Sequence, residues 1–290
     1  MPDRVEVEAP AKVNLRLCIL SREASGYHSL ETVFCALTLT DRIVVERGDA
    51  GIRLTVEGGV DTGPPERNLA VRAADCFYRE LGESPAIDLH LTKHIPSAAG
   101  LGGGSSDAAA VLRALNTLHG EPLPRASLLA MAIELGADVP FFLCGSPLAL
   151  AWGRGERLLP LPPLPPRPVL VAHPGVSMPT ADAFRDVAAS RGGGYVPEPV
   201  LIDPDALRSW ESIADLARND FEPVVLRRIP VLADALAAMR DDGAHIALLA
   251  GSGSSIYGVF EDDAALVSAA KLLSGMQFTT LASSTMHSIS

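Results

Sequence analysis

The most informative segment of the sequence is Pro96-Ser-Ala-Ala-Gly100-Leu-Gly-Gly-Gly-Ser-Ser106-Asp, which has four glycines in five consecutive positions. It follows a predicted strand over Ile87–Leu91 and leads into a predicted helix over Ser106–Leu118. Glycine lets the backbone approach an anion closely, and the first N–H groups of a helix attract negative charge. The segment therefore predicts a phosphate-binding loop, in preference to a loop whose Ser105 or Ser106 only caps the helix.

The motifs of other phosphate-binding enzymes are missing from the sequence. There is no GK[ST], so a P-loop is excluded, and the glycines do not complete the GxGxxG dinucleotide fingerprint. HRD, DFG and GxSxG are missing as well, which argues against a protein kinase and against the usual serine hydrolase. The loop therefore belongs to none of these classes.

Composition indicates a folded acidic protein. The 290 residues are 48% hydrophobic, and a length of about 150 residues per domain suggests two domains. Lysine and arginine number 24 against 35 aspartate and glutamate, which gives a net charge of −11, and only 5% of the residues are aromatic. A nucleic-acid surface needs basic charge and stacking rings, so this class of partner is not expected.

The cysteines and the N-terminus predict a cytoplasmic protein. Cys18, Cys35, Cys76 and Cys144 stand far apart without zinc-ligand spacing, so we expect reduced thiols. The first residues alternate charge with valine and lack the basic and apolar regions of a signal peptide. Glutamate, aspartate and prolines interrupt the most apolar stretch, so no membrane contact is expected.

Strand and helix patterns alternate along both halves of the chain and predict an α+β fold. The main predicted strands are Val5–Glu8, Val13–Leu20, Arg42–Glu46, Ile52–Glu57, Val169–Ala172, Ile246–Leu249, Ile256–Phe260 and Phe278–Ala282. The main further predicted helices are Asn68–Leu81, Pro124–Leu135, Thr180–Ser190, Asp205–Ala217, Phe221–Arg228, Val231–Asp241 and Asp263–Ser274. The proline-rich run Leu159–Pro168 favours extended geometry, so we place the domain boundary there, between residues 1–159 and 160–290.

Four segments together resemble one known group of enzymes. They are Ala9-Pro-Ala-Lys12-Val-Asn14-Leu, Gly26-Tyr27-His28, the glycine loop, and Gly136-Ala-Asp138-Val-Pro140. In these motifs the chain resembles the GHMP superfamily of small-molecule kinases and, within it, the family of 4-diphosphocytidyl-2-C-methyl-D-erythritol kinases. The resemblance implies a two-domain GHMP kinase fold, with a ribosomal protein S5 domain 2-like N-terminal domain that binds ATP and a ferredoxin-like C-terminal domain.

The resemblance also implies an activity and two catalytic residues. The family transfers a phosphoryl group from ATP to the 2-hydroxyl of 4-diphosphocytidyl-2-C-methyl-D-erythritol, in the non-mevalonate (MEP) pathway to isoprenoid precursors. Asp138 matches the general base and Lys12 the residue that stabilises developing charge. We expect Asp138 on an extended segment ahead of Pro140. Taken singly, Asp138 is equally suited to stabilising a turn and Lys12 to a sheet edge.

Further site residues are carried over from the family position by position. For ATP they are Asn68 and Lys93 near the adenosine and then Pro96, Ser97, Ala98, Ala99, Gly100, Leu101, Gly102, Gly103, Gly104, Ser105 and Ser106. For the cytidyl substrate they are Asn14, Tyr27, His28, Thr180 and Phe184. Mg²⁺ is expected to be held by ATP oxygens and water, with Ser106 the one candidate side chain. The expected partners are these two small molecules, and the chain is expected to be a monomer or a weak homodimer.

Two other functions fit parts of the same pattern. One is a related small-molecule kinase for mevalonate or homoserine, which Gly26-Tyr27-His28 and Phe184 argue against because those substrates carry no base to stack on. The other is a nucleotide-binding sensor without catalysis, which the presence of both Lys12 and Asp138 argues against.

Overall fold

The computed structural model describes residues 1–23, 26–58, 63–192 and 203–289. Its strands are β1 Arg4–Arg22, β2 His28–Arg47, β3 Gly51–Glu57, β4 Ala86–Thr92, β5 Leu148–Gly153, β6 Arg157–Leu161, β7 Pro168–His173, β8 Arg218–Asn219, β9 Ile246–Leu249, β10 Ile256–Val259 and β11 Thr279–Ser284. Its α helices are α1 Leu69–Leu81, α2 Gly103–Leu118, α3 Arg125–Leu135, α4 Thr180–Ser190, α5 Trp210–Leu216, α6 Glu222–Arg228, α7 Val231–Asp241 and α8 Asp263–Gly275.

The chain forms two compact units whose segments interleave. The first unit comprises Met1–Ala11, Leu39–Ser97 and Gly102–Gly145, and the second comprises Lys12–Thr38, Ala98–Leu101 and Ser146–Ser290. These bounds differ from the division at residues 159 and 160, which remains a prediction about family domains.

The first unit contains a parallel β3–α1–β4 connection. β3 pairs in parallel with β4, with Gly51 opposite Ala86, and β4 pairs antiparallel with β2, with Arg42 opposite Thr92. β2 and β3 are consecutive along the chain, but β4 lies between them in the sheet. A parallel pair needs a crossover, and α1 provides it.

Local sequence sets where the first-unit helices begin and end. Asn68 caps α1 by accepting from the backbone N–H of Ala70 at 2.9 Å, and Gly82 follows it in a left-handed conformation with φ 72°. α2 begins at Gly103, ahead of the predicted start at Ser106, so two glycines of the loop form its first turn. Helices α1, α2 and α3 contact one another.

The second unit holds two groups of paired strands. β5 pairs antiparallel with β2 and with β6, while β8 pairs in parallel with β1. The other sheet is antiparallel in the order β11-β7-β10-β9. With α8 between β10 and β11, and helices between β7 and β9, this is the ferredoxin-like arrangement expected for the C-terminal part. Leu170, Leu249 and Phe260 are among its fully buried core residues.

Several predicted elements change length or type. β2 begins at His28 instead of Arg42. The segment ahead of Arg42 is polar in places and was not predicted as a strand, but it pairs with β5. The helix predicted over Asp205–Ala217 is a 3₁₀ turn, Pro204–Leu207, followed by the shorter α5. β5 and β6 are additional strands, and β6 includes Pro160, which an edge strand tolerates.

The described residues contain neither a membrane-spanning helix nor a metal-binding cluster. No helix there has the length and apolar character that crossing a membrane requires. The same part of the chain brings together no group of three or more His, Cys, Asp or Glu side chains fit to hold a metal ion.

Candidate active site

The glycine loop leaves the first turn of α2 open. Gly102 precedes the helix in a left-handed conformation with φ 73°, and no side chain in the described part of the chain caps this end. Ser106 lies inside the helix, with its N–H donating to the carbonyl of Gly102 at 2.9 Å, so neither predicted serine acts as the cap. The first N–H groups of a helix lack intrahelical acceptors, and here they are suited to an anion.

Gly100 is required by a close backbone contact inside the second unit. Its φ is 80°, and a Cβ built there would lie 1.8 Å from the carbonyl oxygen of Ala250. Asn219 supports the facing segment by donating to the carbonyls of Leu249 and Gly251, both at 2.8 Å. The motifs did not identify Asn219, because its partners lie about thirty residues away along the chain.

Lys93 lies in a buried charge cluster of the first unit. Its ammonium donates to Asp107 Oδ2 at 2.8 Å and also to Asp41, and all three side chains are buried. Burial alone would lower the pKa of Lys93, but the two carboxylates outweigh it and raise that pKa. Burial raises the pKa of Asp107 to about 7, against the opposing charge of Lys93. The ammonium of Lys93 therefore binds carboxylates, and a contact with adenosine stays a prediction.

Lys12 contacts two neutral groups within the second unit. Its Nζ donates to Asn14 Oδ1 at 2.8 Å and lies 5.3 Å from the centroid of the Phe34 ring. Asn14 Nδ2 in turn donates to Thr32 Oγ1 at 2.7 Å, so the amide that orients the lysine is itself fixed. The side chain is 4% exposed, which does not fit a lysine at a solvated sheet edge. Asn14 was predicted to bind substrate, and the structure places it beside Lys12.

Asp138 follows α3 at the start of a short 3₁₀ helix, Val139–Leu143. Its φ of −84° and ψ of −19° are helical, so the expectation of an extended segment is wrong. A proline restricts the backbone of the residue directly before it, which here is Val139. Pro140 therefore does not hold Asp138 in an extended conformation. The carboxylate of Asp138 does not cap this helix, which removes one structural explanation for the residue.

The aromatic residues predicted for the cytidyl substrate lie in the second unit. The rings of His28 and Phe184 stack with centroids 4.7 Å apart, and Phe221 meets Phe184 edge-on at 4.9 Å. A base inserted between His28 and Phe184 would need two stacking distances, about 9 Å or more, so that gap is closed. Burial, and then the charges of Arg22 and Arg191, lower the pKa of His28.

Other predicted residues have defined places in the fold. Tyr27 is 58% exposed, with the guanidinium of Arg154 lying 3.9 Å over its ring. Thr180 begins α4, and its hydroxyl is hydrogen-bonded to that of Ser252 at 2.9 Å. Asn68 caps α1, as described above, so its side-chain Oδ1 already has a partner.

Two buried polar atoms near the start of α2 lack partners. Within the described residues, Ser106 Oγ and Asp107 Oδ1 have no hydrogen-bond partner, and each residue is at most 3% exposed. Buried polar atoms of proteins are almost always hydrogen-bonded. An unpaired hydroxyl in the helical turn that follows an open glycine loop fits a ligand rich in oxygen, or a cation bound to one.

Models of protein families and the sequences of known proteins match this chain. Residues 68–146 match the model of the GHMP kinases N terminal domain and residues 205–271 that of the GHMP kinases C terminal. The chain is 39% identical to 4-diphosphocytidyl-2-C-methyl-D-erythritol kinase of Geobacter sp. (strain M21), over 92% of this chain and 93% of that protein. A similar relative from Methylobacterium radiotolerans is 41% identical, over 91% of this chain and 92% of that protein.

Solved structures show the same relationship. A crystal structure of 4-(cytidine 5'-diphospho)-2C-methyl-D-erythritol kinase matches with a TM-score of 0.81 and 38% identity, covering 97% of this chain and 99% of that one. A homoserine kinase from Cytophaga hutchinsonii matches with a TM-score of 0.75 at 22% identity, covering 99% of this chain and 96% of that one, and shares the fold.

The open glycine loop and the two-sheet α+β fold define a small-molecule kinase of the GHMP class. Within that class, the chain belongs to the 4-diphosphocytidyl-2-C-methyl-D-erythritol kinase family.

Proposed function

We propose that this kinase transfers the terminal phosphoryl group of ATP to the 2-hydroxyl of 4-diphosphocytidyl-2-C-methyl-D-erythritol. The observation that carries the proposal is the uncapped start of α2 behind Gly102, which offers backbone N–H groups to a triphosphate. The residues assigned to ATP are the loop from Pro96 to Ser106. Contacts of Asn68 and Lys93 with the adenosine remain predictions, since both side chains have protein partners.

In this proposal Asp138 accepts the proton of the attacking hydroxyl. A tertiary alcohol is a weak nucleophile, and a nearby carboxylate removes its proton as the bond to phosphorus forms. The position of Asp138 after α3, without a capping role, supports this assignment.

Lys12 is proposed to stabilise the negative charge that develops during transfer. Its ammonium is buried, and the amide of Asn14 orients it. A fixed charge in a site shielded from water acts more strongly on a transition state than one in solution.

Magnesium is proposed to enter bound to ATP, with Ser106 as the protein group that fits it. The buried Ser106 hydroxyl without a partner is suited to a hard cation or to a phosphate oxygen. When bound, Mg²⁺ neutralises charge on the phosphate oxygens.

The cytidyl group of the substrate is proposed to be recognised by the aromatic residues of the second unit. Tyr27 offers an exposed ring for stacking, and Phe184 is the second aromatic wall, with Asn14 and Thr180 as further contacts. Since the His28–Phe184 gap is closed, His28 either meets the polar edge of cytosine from its own edge or turns away from Phe184 when the base binds.

A kinase for homoserine or mevalonate is the second candidate, because such enzymes share the fold. The aromatic residues favour the cytidyl substrate, which is the one that carries a base. In the proposed role the enzyme works in the non-mevalonate pathway to isoprenoid precursors. The four cysteines are free and buried, which supports a reducing compartment such as the cytoplasm.

One panel of substrates tests the proposal. ADP release is measured by a coupled assay with the purified chain, ATP and either the cytidyl diphosphate substrate, mevalonate or homoserine. We expect turnover with the cytidyl substrate and little with the other two. Preference for mevalonate or homoserine would overturn the proposed specificity, and ADP release that is independent of any acceptor would overturn the proposed transfer.

A further inference from the structure

Tyr27 is covered on one face by an arginine that has its own acidic anchor. The guanidinium carbon of Arg154 lies 3.9 Å from the centroid of the Tyr27 ring. Arg154 Nε donates to Glu23 Oε1 at 3.2 Å and Nη2 donates to Glu23 Oε2 at 2.6 Å. The two parallel bonds fix the plane of the guanidinium, and the planar group lies over the ring.

The backbone closes this arrangement into a small ring of contacts. The N–H of Glu23 donates to the carbonyl of Tyr27 at 2.7 Å, so the residue that anchors Arg154 also holds the backbone of Tyr27. The N–H of Gly26 donates to the carbonyl of Glu23 at 3.0 Å, which tightens the same turn. Glu23, Tyr27 and Arg154 therefore form one connected group, here named the Tyr27 clamp.

The tight turn between β5 and β6 brings Arg154 to this place. Trp152 pairs with Arg157, so Arg154 lies at the tip of the turn. Gly153 has φ 76°, and a Cβ there would lie 2.7 Å from the carboxylate of Glu156. That carboxylate accepts from the N–H of Arg154 at 2.7 Å, so glycine at 153 lets Glu156 fix the turn.

Phe184 and Tyr27, the two aromatic residues proposed to contact the base, differ in their surroundings. Phe184 packs against His28 and Phe221, and the hydrophobic core holds it in place. Tyr27 is 58% exposed and has no such support, although an exposed tyrosine loses rotamer freedom when a base stacks on it. A clamp on one face removes that freedom before the base arrives.

We propose that Arg154 is a positioning residue for the cytidyl substrate, which it serves by holding Tyr27 with one face covered and the other open to the pyrimidine. This inference rests on the proposed function and adds a residue that the motifs did not identify. Arg154 acts through Tyr27 and is not itself a catalytic residue. Lysine cannot replace it fully, because an ammonium neither stacks flat on the ring nor bonds both oxygens of Glu23.

The test compares Arg154→Met, Arg154→Lys and Glu23→Gln by steady-state kinetics with both substrates. For Arg154→Met we expect KM for the cytidyl substrate to rise about three- to fivefold, from the worth of an exposed cation–π contact. We expect kcat and KM for ATP to stay within twofold. Arg154→Lys and Glu23→Gln should give smaller rises. Arg157→Met is the matched control, because Arg157 is a 67% exposed arginine of the same hairpin and contacts Glu156.

A double-mutant cycle with Tyr27→Leu separates positioning from a general structural effect. If Arg154 acts through the ring, Arg154→Met adds no further rise in KM once Tyr27 is leucine. An unchanged KM in Arg154→Met overturns the inference, and so does a lowered KM, which would mean that Arg154 occupies the place of the base. Failure of the wild-type chain to turn over the cytidyl substrate would instead overturn the proposed function.

Discussion

Lys93 and Lys12 are both buried, but their hydrogen-bond partners differ in charge. Lys93 lies between two carboxylates, and the buried cluster needs its charge, since removal of one partner leaves the others unpaired. Lys12 Nζ donates to the neutral amide of Asn14, so the two lysines have different partners. The resemblance assigned both to the active site, and both assignments remain predictions.

The first prediction concerns Asp138. Asp138→Asn removes the proposed base and keeps the size of the side chain, so turnover should fall by about 10²- to 10⁴-fold while KM for ATP stays within a few fold. Steady-state ADP release checks this. Asp75→Asn, at an exposed position of α1, is the control. Turnover within tenfold of the wild type in Asp138→Asn would remove the assigned role.

The second prediction concerns Gly100, where both conformation and space demand glycine. Gly100→Ala should unfold the chain at clearly lower urea concentration or displace the loop and weaken ATP binding, because its Cβ meets the carbonyl of Ala250. Gly243→Ala is the matched control, because Gly243 has φ 90° with open space around it and should lose only about 1 kcal/mol. Equal stability losses and unchanged ATP binding in the two variants would show that the close contact is not present.

Among single residues, the sequence predicted the glycine loop, Lys12 and Asp138 for the site because each lies in a compact motif, and their roles remain predictions. It did not reveal Asn219 or Asp41, whose partners are far away along the chain and come together only after folding. Arg154 was missed for the same reason, since its contact with Tyr27 joins a hairpin turn to a distant segment.

Among the elements, helices with regular apolar spacing were predicted best. α4 and α7 have the bounds that their apolar spacing indicated, and α1 differs by one residue at its cap. Strands were harder, since β2 and β5 depend on each other for pairing and neither has strong alternation throughout. The start of α2 was missed by three residues because glycine is a poor helix former on average, although an open first turn accepts it.

The third prediction concerns Asp220, which joins β1 to the end of α4. Its carboxylate accepts from the N–H of Ile19 at 2.8 Å, from Arg191 at 2.8 Å and from Arg218 at 2.7 Å. Burial opposes ionisation, but these three donors outweigh it and lower the pKa of Asp220. A carboxyl with a lowered pKa in the folded state adds stability above its ordinary pKa, about 4, and this stability is lost as pH falls through the folded value.

Asp220→Asn should therefore lower the free energy of unfolding by about 2 kcal/mol at pH 7. The difference from the wild type should stay constant down to about pH 5 and shrink below about pH 4. Urea unfolding across this pH range measures it, with Asp75→Asn as the control. A difference that grows as the pH falls would contradict the account of Asp220.

For the whole molecule, composition and motifs were enough to predict the α+β class and the kinase family, both of which are confirmed. The ferredoxin-like order of the second sheet is also as expected. The interleaved units were not predictable, because β1 and β2 each run through both of them, and the periodicity of a strand does not show where one unit ends.

The proposed reaction transfers a phosphoryl group to one particular hydroxyl of a cytidyl diphosphate substrate. The most direct measurement is ³¹P and ¹³C NMR of the product formed from 4-diphosphocytidyl-2-C-methyl-D-erythritol and ATP, together with the amount of ADP released. The expected result is one new phosphomonoester on carbon 2, an intact diphosphate, and one ADP for each product molecule. A phosphate on another hydroxyl, or ADP released without a phosphorylated product, would contradict it.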